Sequence, residues 1–303
     1  MLRIGIVGLD SSHSTAFTDL LLSGRSDLAN EQVRVVAGWT GGSADFPLSI
    51  SRAARFTEEM RERGVQICPT PADVLENSDA VILGAVDGRC HVELASQLFP
   101  AGLPVFVDKP LAHDRDAALQ IVQLGKRYGT RWFTASALRY QQSLLQALES
   151  AGDDEVISCD CYGTVKAMPG HLELAWYGVH GIEAVYSVLG QGCREVRRVR
   201  TDRGDVITGV WHDGRIGTFR GCHEGEQATG FGMVIGLRQS IVPLEFPADY
   251  AGLVDEIVKF FRGGEPPVTA AESLEVFSFM QAAEESSRQQ GRPVLLSSCE
   301  VAG

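Results

Sequence analysis

Hydrophobic and polar positions divide the chain into two rhythms. The first half alternates short apolar runs with amphipathic stretches. Residues 80–86 (AVILGAV) and 105–107 (VFV) are continuously apolar, the pattern of strands buried on both faces of a parallel sheet, and residues 2–7 (LRIGIV) and 33–39 (VRVVAGW), each apolar but for one arginine, are also read as strands. Short strands are also predicted at 66–68 and 131–136. Between them, residues 15–23, 49–63, 70–76, 114–128 and 140–150 read as helices; Gly129 stops the fourth, and a Thr-Pro signal opens the third. The centre of this half is residues 80–112. There a strand, a helix carrying His91, Leu94, Ala95 and Leu98 on one stripe, and a second strand form a crossover unit. Ligands of open parallel sheets bind beyond the carboxyl ends of the strands. Ala85, Asp87 and His91 after one strand and Asp108, Lys109 and Pro110 after the next are therefore expected to line one crevice.

The second half alternates with a period of two. Strands are expected at 156–165, 196–201, 206–211, 215–222 and 232–243, with His212-Asp213-Gly214-Arg215 as the clearest hairpin bend. A helix over 173–189 is expected to cover one face of a mostly antiparallel sheet, and amphipathic helices over 250–261 and 271–290 follow. The fold class is thus α/β: a doubly wound parallel sheet over residues 1–150, then an α+β domain with a large open sheet over 151–303, divided at Gly152-Asp153-Asp154. The last helices have the option of packing back on the first domain.

The 303 residues carry a formal net charge of −12, which argues against a nucleic-acid partner and supplies no basic patch for a membrane surface. No apolar run is long enough to span a bilayer, and residues 2–9 are too short for a signal peptide. The seven cysteines are scattered, with no CxxC pair. They read as reduced packing residues of a cytoplasmic protein. No His, Asp or Glu cluster has metal-ligand spacing; His171 and Glu173 fall near a helix start, where capping explains Glu173 equally well.

The turn after the first strand reads Gly8-Leu9-Asp10-Ser11-Ser12-His13-Ser14. A pyrophosphate-binding turn uses G-x-G-x-x-G so that backbone and phosphate approach closely. Only Gly8 is in place: Asp10 takes the second position, where a carboxylate opposes phosphate, and His13 the third. Ser11, Ser12, His13, Ser14 and the helix amino terminus can offer donors to an anion. A serine-rich helix cap without a ligand is the other reading, and the turn alone does not separate the two. The second strand ends Trp39-Thr40-Gly41-Gly42, with neither the acid nor the arginine that holds a ribose; Thr40 offers a weaker hydrogen bond.

With these features in place, the chain resembles the glucose-fructose oxidoreductase/inositol dehydrogenase/MocA (Gfo/Idh/MocA) family over essentially its whole length. The family's Glu-Lys-Pro motif is matched by Asp108-Lys109-Pro110, and the histidine opening the preceding helix by His91. Its Asp-x-Gly-x-His-x-x-Asp helix is matched at Gly178 and His180, with Trp176 and Glu183 in the acid positions. The resemblance implies a Rossmann domain joined to an open-sheet domain, NAD or NADP as cofactor, and hydride transfer to or from a sugar, cyclitol or related hydroxyl compound. It implies Lys109 as acid/base and His180 as its assistant. The cofactor would be lined by Gly8, Asp10, Ser11, Ser12, His13, Ser14, Thr40, Ala85, Asp87, His91, Asp108 and Pro110. Arg139, Trp176, Tyr177 and Glu183 would face the substrate, Trp176 and Tyr177 as a flat wall. It also implies a homodimer or homotetramer paired through the carboxyl-terminal sheet. A family member that binds a metabolite without redox turnover, and an NAD-dependent glycoside-cleaving enzyme, are the alternatives; the departures at Asp10, His13, Thr40 and Trp176 favour the first of these.

Overall fold

A computed structural model describes residues 1–23, 32–223 and 230–296. The chain divides into two compact units, Met1–Ala135 with Tyr250–Ala270, and Ser136–Asp249 with Ala271–Gly303. The division falls ahead of the Gly152 turn because the 3-10 turn Ala137–Tyr140 packs on a helix of the second unit, as the helix after it packs on a strand there.

The first unit is a six-stranded, wholly parallel sheet. In chain order it comprises β1 (Leu2–Val7), α1 (Ser12–Ser23), β2 (Val33–Trp39), α2 (Pro47–Glu62), β3 (Gln66–Ile67), α3 (Pro71–Glu76), β4 (Ala80–Leu83), α4 (His91–Leu98), β5 (Val105–Val107), α5 (Arg115–Tyr128) and β6 (Trp132–Phe133). The strand order is β3-β2-β1-β4-β5-β6, so the direction of winding reverses between β1 and β4. That reversal opens a crevice at the carboxyl ends of the strands. The apolar runs behave as their composition requires: every residue of β4 and β5 is buried. Thr70 and Asp73 form a reciprocal capping box on α3. Asp114 caps α5, and Gly129 ends it in the left-handed region.

The second unit follows with α6 (Gln142–Ala151), β7 (Val156–Val165), α7 (Gly178–Leu189), β8 (Cys193–Thr201), β9 (Gly204–Trp211), β10 (Ile216–His223), β11 (Phe231–Leu237) and β12 (Ile241–Phe246). The chain then gives α8 (Ala251–Phe261) to the first unit, and ends in the second with α9 (Ala270–Arg288) and β13 (Val294–Leu295). The seven strands lie in the order β12-β11-β7-β10-β9-β8-β13. Only the β7–β10 pair is parallel.

The single strand expected over 232–243 is two, β11 and β12. The break comes at Arg238-Gln239-Ser240, where Leu237 N–H donates to Ser240 C=O and closes a tight turn. Three consecutive polar residues interrupt the apolar pattern at the bend, and the expected single strand joined the apolar runs on either side of them. The helix expected from 173 starts at Gly178, because residues 173–177 make turns instead. One face of the sheet is sealed by α7 and α9. Phe219 of β10 fills the space beside Gly181 of α7, where a Cβ would come within 2.2 Å of its ring. Tyr186 of α7 meets Trp211 of β9 and Phe279 of α9. Cys159 and Cys161 share this buried face as thiols; Cys299 lies outside the described residues. The opposite face carries Tyr162, Val206, Val210, Val199, Ile216 and Ile241 in rows across the strands, four of them substantially exposed.

Gly8 is where strand packing and the crevice meet. Its φ is +97°, and a Cβ there would lie 2.4 Å from the backbone nitrogen of Ala85. Both the left-handed conformation and the contact between the β1 and β4 ends exclude a side chain. Gly8→Ala is expected to lower stability by more than about 1 kcal/mol, read as a fall in thermal midpoint; an unchanged midpoint would show that the two strand ends separate freely.

Candidate functional site

In the first unit, the crevice is built from the loops after β1, β2, β4 and β5. Gly8 N–H donates to Trp39 C=O, Leu9 N–H to Thr40 C=O, and Gly84 N–H to Val7 C=O, so the ladder continues past the strand ends and draws these loops together.

Asp10 stands where a dinucleotide turn has its second glycine, and its carboxylate turns inward. Oδ2 accepts the Ser49 hydroxyl at 2.5 Å and Oδ1 accepts the Val86 N–H at 3.0 Å, with the residue fully buried. Burial raises the proton affinity of Asp10, while the bonds from Ser49 and Val86 oppose the rise. One side chain thus ties the β1 turn to the start of α2 and to the loop after β4. The charge expected to repel phosphate is spent on protein donors.

The serines of the turn are mostly engaged too. Ser11 Oγ accepts the His13 N–H, and the Ser14 hydroxyl donates to Ser11 C=O. Ser12, at the amino end of α1, remains exposed. Thr40 accepts the Thr57 hydroxyl at 3.0 Å and keeps partial exposure. His13 turns toward β5: its Nδ1 donates to Asp108 Oδ2 at 2.7 Å, and its ring stacks on Phe17 and meets the edge of Tyr250.

Around the β4 end, Asp87 accepts from Arg89 through both oxygens. Burial works to raise Asp87, but Arg89 outweighs it and holds the carboxyl below its ordinary range. Arg89 also reaches Asp45. His91 is fully buried, its ring bridging the carbonyls of Leu111 at 3.0 Å and Ala85 at 2.8 Å. It braces the wall behind the Lys109-Pro110 turn, whose peptide bond is cis. Asp108 is buried and its Oδ1 accepts the Lys109 N–H. Burial would raise Asp108, yet His13 and Lys109 hold it below the usual carboxylate range. Lys109 keeps partial exposure. Desolvation lowers its proton affinity below the ordinary 10.5, Asp108 opposes this, and Arg52 adds to it. The first unit therefore joins a tight glycine turn, a helix amino terminus and a lysine whose proton affinity desolvation lowers. These residues fit a dinucleotide: the glycine that close approach needs is present, and the one carboxylate in the turn is tied inward.

The second unit holds the remaining predicted residues. His180 Nδ1 lies 2.7 Å from the Ser136 hydroxyl, which also accepts the Leu138 N–H. Either partner donates in this pair, according to the imidazole tautomer. Phe231 and Tyr177 flank the imidazole edge-on. Arg139 and Glu183 form a buried pair at 2.6 Å, and Arg139 also reaches Glu272 at 2.7 Å. Burial raises Glu183, and Arg139 counters it. Glu183 also accepts the Ser136 N–H, so this pair frames the His180 partner. Trp176, 4% exposed, belongs to the core against His171, whereas Tyr177 is 40% exposed and is the accessible ring of the two. Glu173 is bound by Arg198 and Arg200. Among the described residues, no group of three or more His, Cys, Asp or Glu comes together as a metal site. No helix among them is long and apolar enough to cross a membrane.

Sequence reading missed Ser49, Ser136 and Arg52. Ser49 and Ser136 are single hydroxyls far along the chain from their partners, and no local pattern marks them.

Residues 2–136 match the GFO_IDH_MocA model, described as an oxidoreductase family with an NAD-binding Rossmann fold, as the sequence resemblance implied. An inositol 2-dehydrogenase of Rhodococcus erythropolis is 23% identical over 227 residues; the match takes in 72% of this chain and spans 60% of that relative's length. Myo-inositol dehydrogenase from Lactobacillus casei, solved with NAD(H) and myo-inositol, superposes with a TM-score of 0.76 at 15% identity, covering 100% of this chain and 98% of that one. GenD2 from gentamicin A biosynthesis, solved in complex with NAD, gives a TM-score of 0.74 at 17% identity, covering 98% of this chain and 97% of that one. At these identities the two structures establish the shared fold.

If Asp10 is a tie between loops, Asp10→Gly will destabilise the protein although it restores the familiar turn sequence. Losing both bonds while leaving Val86 N–H buried is expected to cost about 1–3 kcal/mol, measured by urea unfolding. A variant as stable as the parent would assign the carboxylate no structural work.

Proposed function

We propose, from the match of residues 2–136 to the GFO_IDH_MocA model of NAD-binding Rossmann oxidoreductases, that the chain is an NAD(P)-dependent dehydrogenase acting on a sugar, cyclitol or related CH–OH compound. The observation that carries this reading is Lys109. It follows β5 in the family's Lys-Pro position, at the same carboxyl end of the strands as the Gly8 turn, with its proton affinity lowered by desolvation.

Oxidation of an alcohol removes a hydride from carbon and a proton from oxygen, and the two are best removed together. A bound nicotinamide dinucleotide supplies the hydride acceptor. The residues that would hold it are Gly8, Ser12 and the amino end of α1 at the phosphates, Thr40 at the ribose, and Ala85, Asp87, Asp108 and Pro110 along the crevice. Lys109, as a neutral amine, receives the hydroxyl proton at Nζ. Desolvation makes that form accessible at lower pH, and the nearby Arg52 charge acts in the same direction. His91 keeps the wall in place. In the second unit, His180 is assigned to orient the substrate, with Ser136 fixing its ring and Tyr177 offering an exposed aromatic edge. The relatives named for inositol support a cyclic polyol as substrate class.

We also assign self-association to the open face of the second sheet. Tyr162, Ile216, Val199 and Ile241 are exposed there at 44%, 45%, 62% and 75%, a density of apolar side chains that a partner copy would cover. The cysteines suit a cytoplasmic location, where they remain thiols.

Titration of the purified protein with NADH and NADPH, read by fluorescence, comes first; absence of saturable binding up to millimolar concentration overturns the cofactor assignment. Lys109→Ala should keep cofactor binding and lose at least about 100-fold in kcat. Because the lysine acts in its neutral form and its proton affinity is lowered, kcat/KM for oxidation should rise with pH through a midpoint below 10.5. Full activity in the alanine variant would remove Lys109 from the chemistry. Separately, Tyr162→Arg on the open face should shift sedimentation toward a smaller species, and a parent protein that sediments as a monomer would refute the interface.

A further inference from the structure

Two departures from the family pattern meet in space. His13 occupies the third glycine position of the turn, and Asp108 replaces the glutamate of Glu-Lys-Pro. Their side chains are 2.7 Å apart and both are buried. The imidazole cannot drift: Phe17 stacks on it at 4.9 Å between centroids, and Tyr250 closes its edge at the same distance. Asp108 is thereby engaged at both oxygens, Oδ2 by His13 and Oδ1 by the Lys109 N–H at 2.8 Å. Asp108 acts on the Lys109 ammonium and favours its proton, and Arg52 of α2 opposes it.

We propose that His13 is a positioning residue for Lys109: by holding Asp108 it keeps that carboxylate from pairing fully with the lysine ammonium, and so sets the pH at which Lys109 releases its proton. This rests on the catalytic role assigned to Lys109 above. A carboxylate relieved of one strong donor turns toward the nearest cation. Of the two groups that hold Asp108 low, His13 and Lys109, the lysine remains when His13 is lost, and it then holds its proton more tightly. The histidine thus occupies a glycine position in the cofactor turn for a reason that lies at the end of β5.

The chain has four lysines, Lys109, Lys126, Lys166 and Lys259, so the ¹³C spectrum of the reductively methylated full-length protein is simple and Lys109 can be assigned with Lys109→Arg. Its titration midpoint is read directly, without turnover. In His13→Leu, which keeps apolar packing against Phe17 and Tyr250 but has no donor, the midpoint should rise by about one pH unit or more. In His13→Asn, whose amide N–H can replace Nδ1–H, it should return toward the parent value. In Asp108→Asn, which removes the charge, it should fall. The acid limb of kcat/KM should move with each midpoint, a displacement that mere loosening of the fold does not produce. An unmoved Lys109 midpoint in folded His13→Leu overturns the coupling. Should that variant fail to fold, an unmoved midpoint in Asp108→Asn does so. Midpoints that move as stated while Lys109→Ala stays fully active would support the coupling and refute the catalytic role, so the two failures are distinct.

Discussion

A carboxylate removed from water must find its donors in the protein, and Asp10 finds them on two other segments of the chain. Its two oxygens take a hydroxyl from α2 and a backbone N–H after β4, while its own backbone belongs to the turn after β1. Three segments at the strand ends are thereby held by one residue. Leaving such a group unpaired costs several times what a typical net hydrogen bond contributes, so these segments have little freedom to part. The crevice depends on that restraint, because its glycine turn tolerates almost no displacement between Gly8 and Ala85.

The same economy recurs around Asp108. A parallel sheet presents its strand ends as a row, and a buried charge on one strand end acts on the next. His13, Asp108 and Lys109 form such a row, running from α1 through β5 to the lysine. In the second unit the corresponding work is done by Glu183, which accepts from Arg139 and from Ser136 N–H, while Ser136 in turn meets His180. Trp176, at an acid position of the helix pattern that the sequence resembles, lies in the core. A serine from outside that helix partners the histidine instead. Both units therefore differ at charged positions from the motifs that the sequence resembles, and in both a local hydrogen-bond network surrounds the difference.

Much of this was legible in the chain. The apolar runs of β1, β4 and β5 are long enough, and bounded sharply enough by glycine, proline and polar residues, to declare a parallel sheet. The alternation from 156 onward declared a half-buried one. Lys109 and His180 were visible because the residues around them repeat a family's local spacing. The turn between β11 and β12 is marked by three consecutive polar residues, Arg238-Gln239-Ser240, which a reading by the apolar runs on either side joins into one strand. The start of α7 was misplaced because residues 173–177 are apolar enough to extend the helical pattern, although the backbone there turns instead.

What sequence determined by itself is whatever depends on neighbours along the chain: periodicity, caps, the glycine required at position 8, and the Asp108-Lys109-Pro110 and Gly178-Val179-His180 spacings. What only tertiary structure decided is where charge goes. Asp10 read as an obstacle to phosphate, and became a tie once Ser49 and Val86 were beside it. His13 read as an anion donor, and became the partner of Asp108. Arg139 and Glu183 read as substrate contacts, and became a buried pair with Glu272. A side chain's electrostatic role depends on groups within a few ångströms, and in a doubly wound sheet those groups come from strands and helices that the sequence holds far apart.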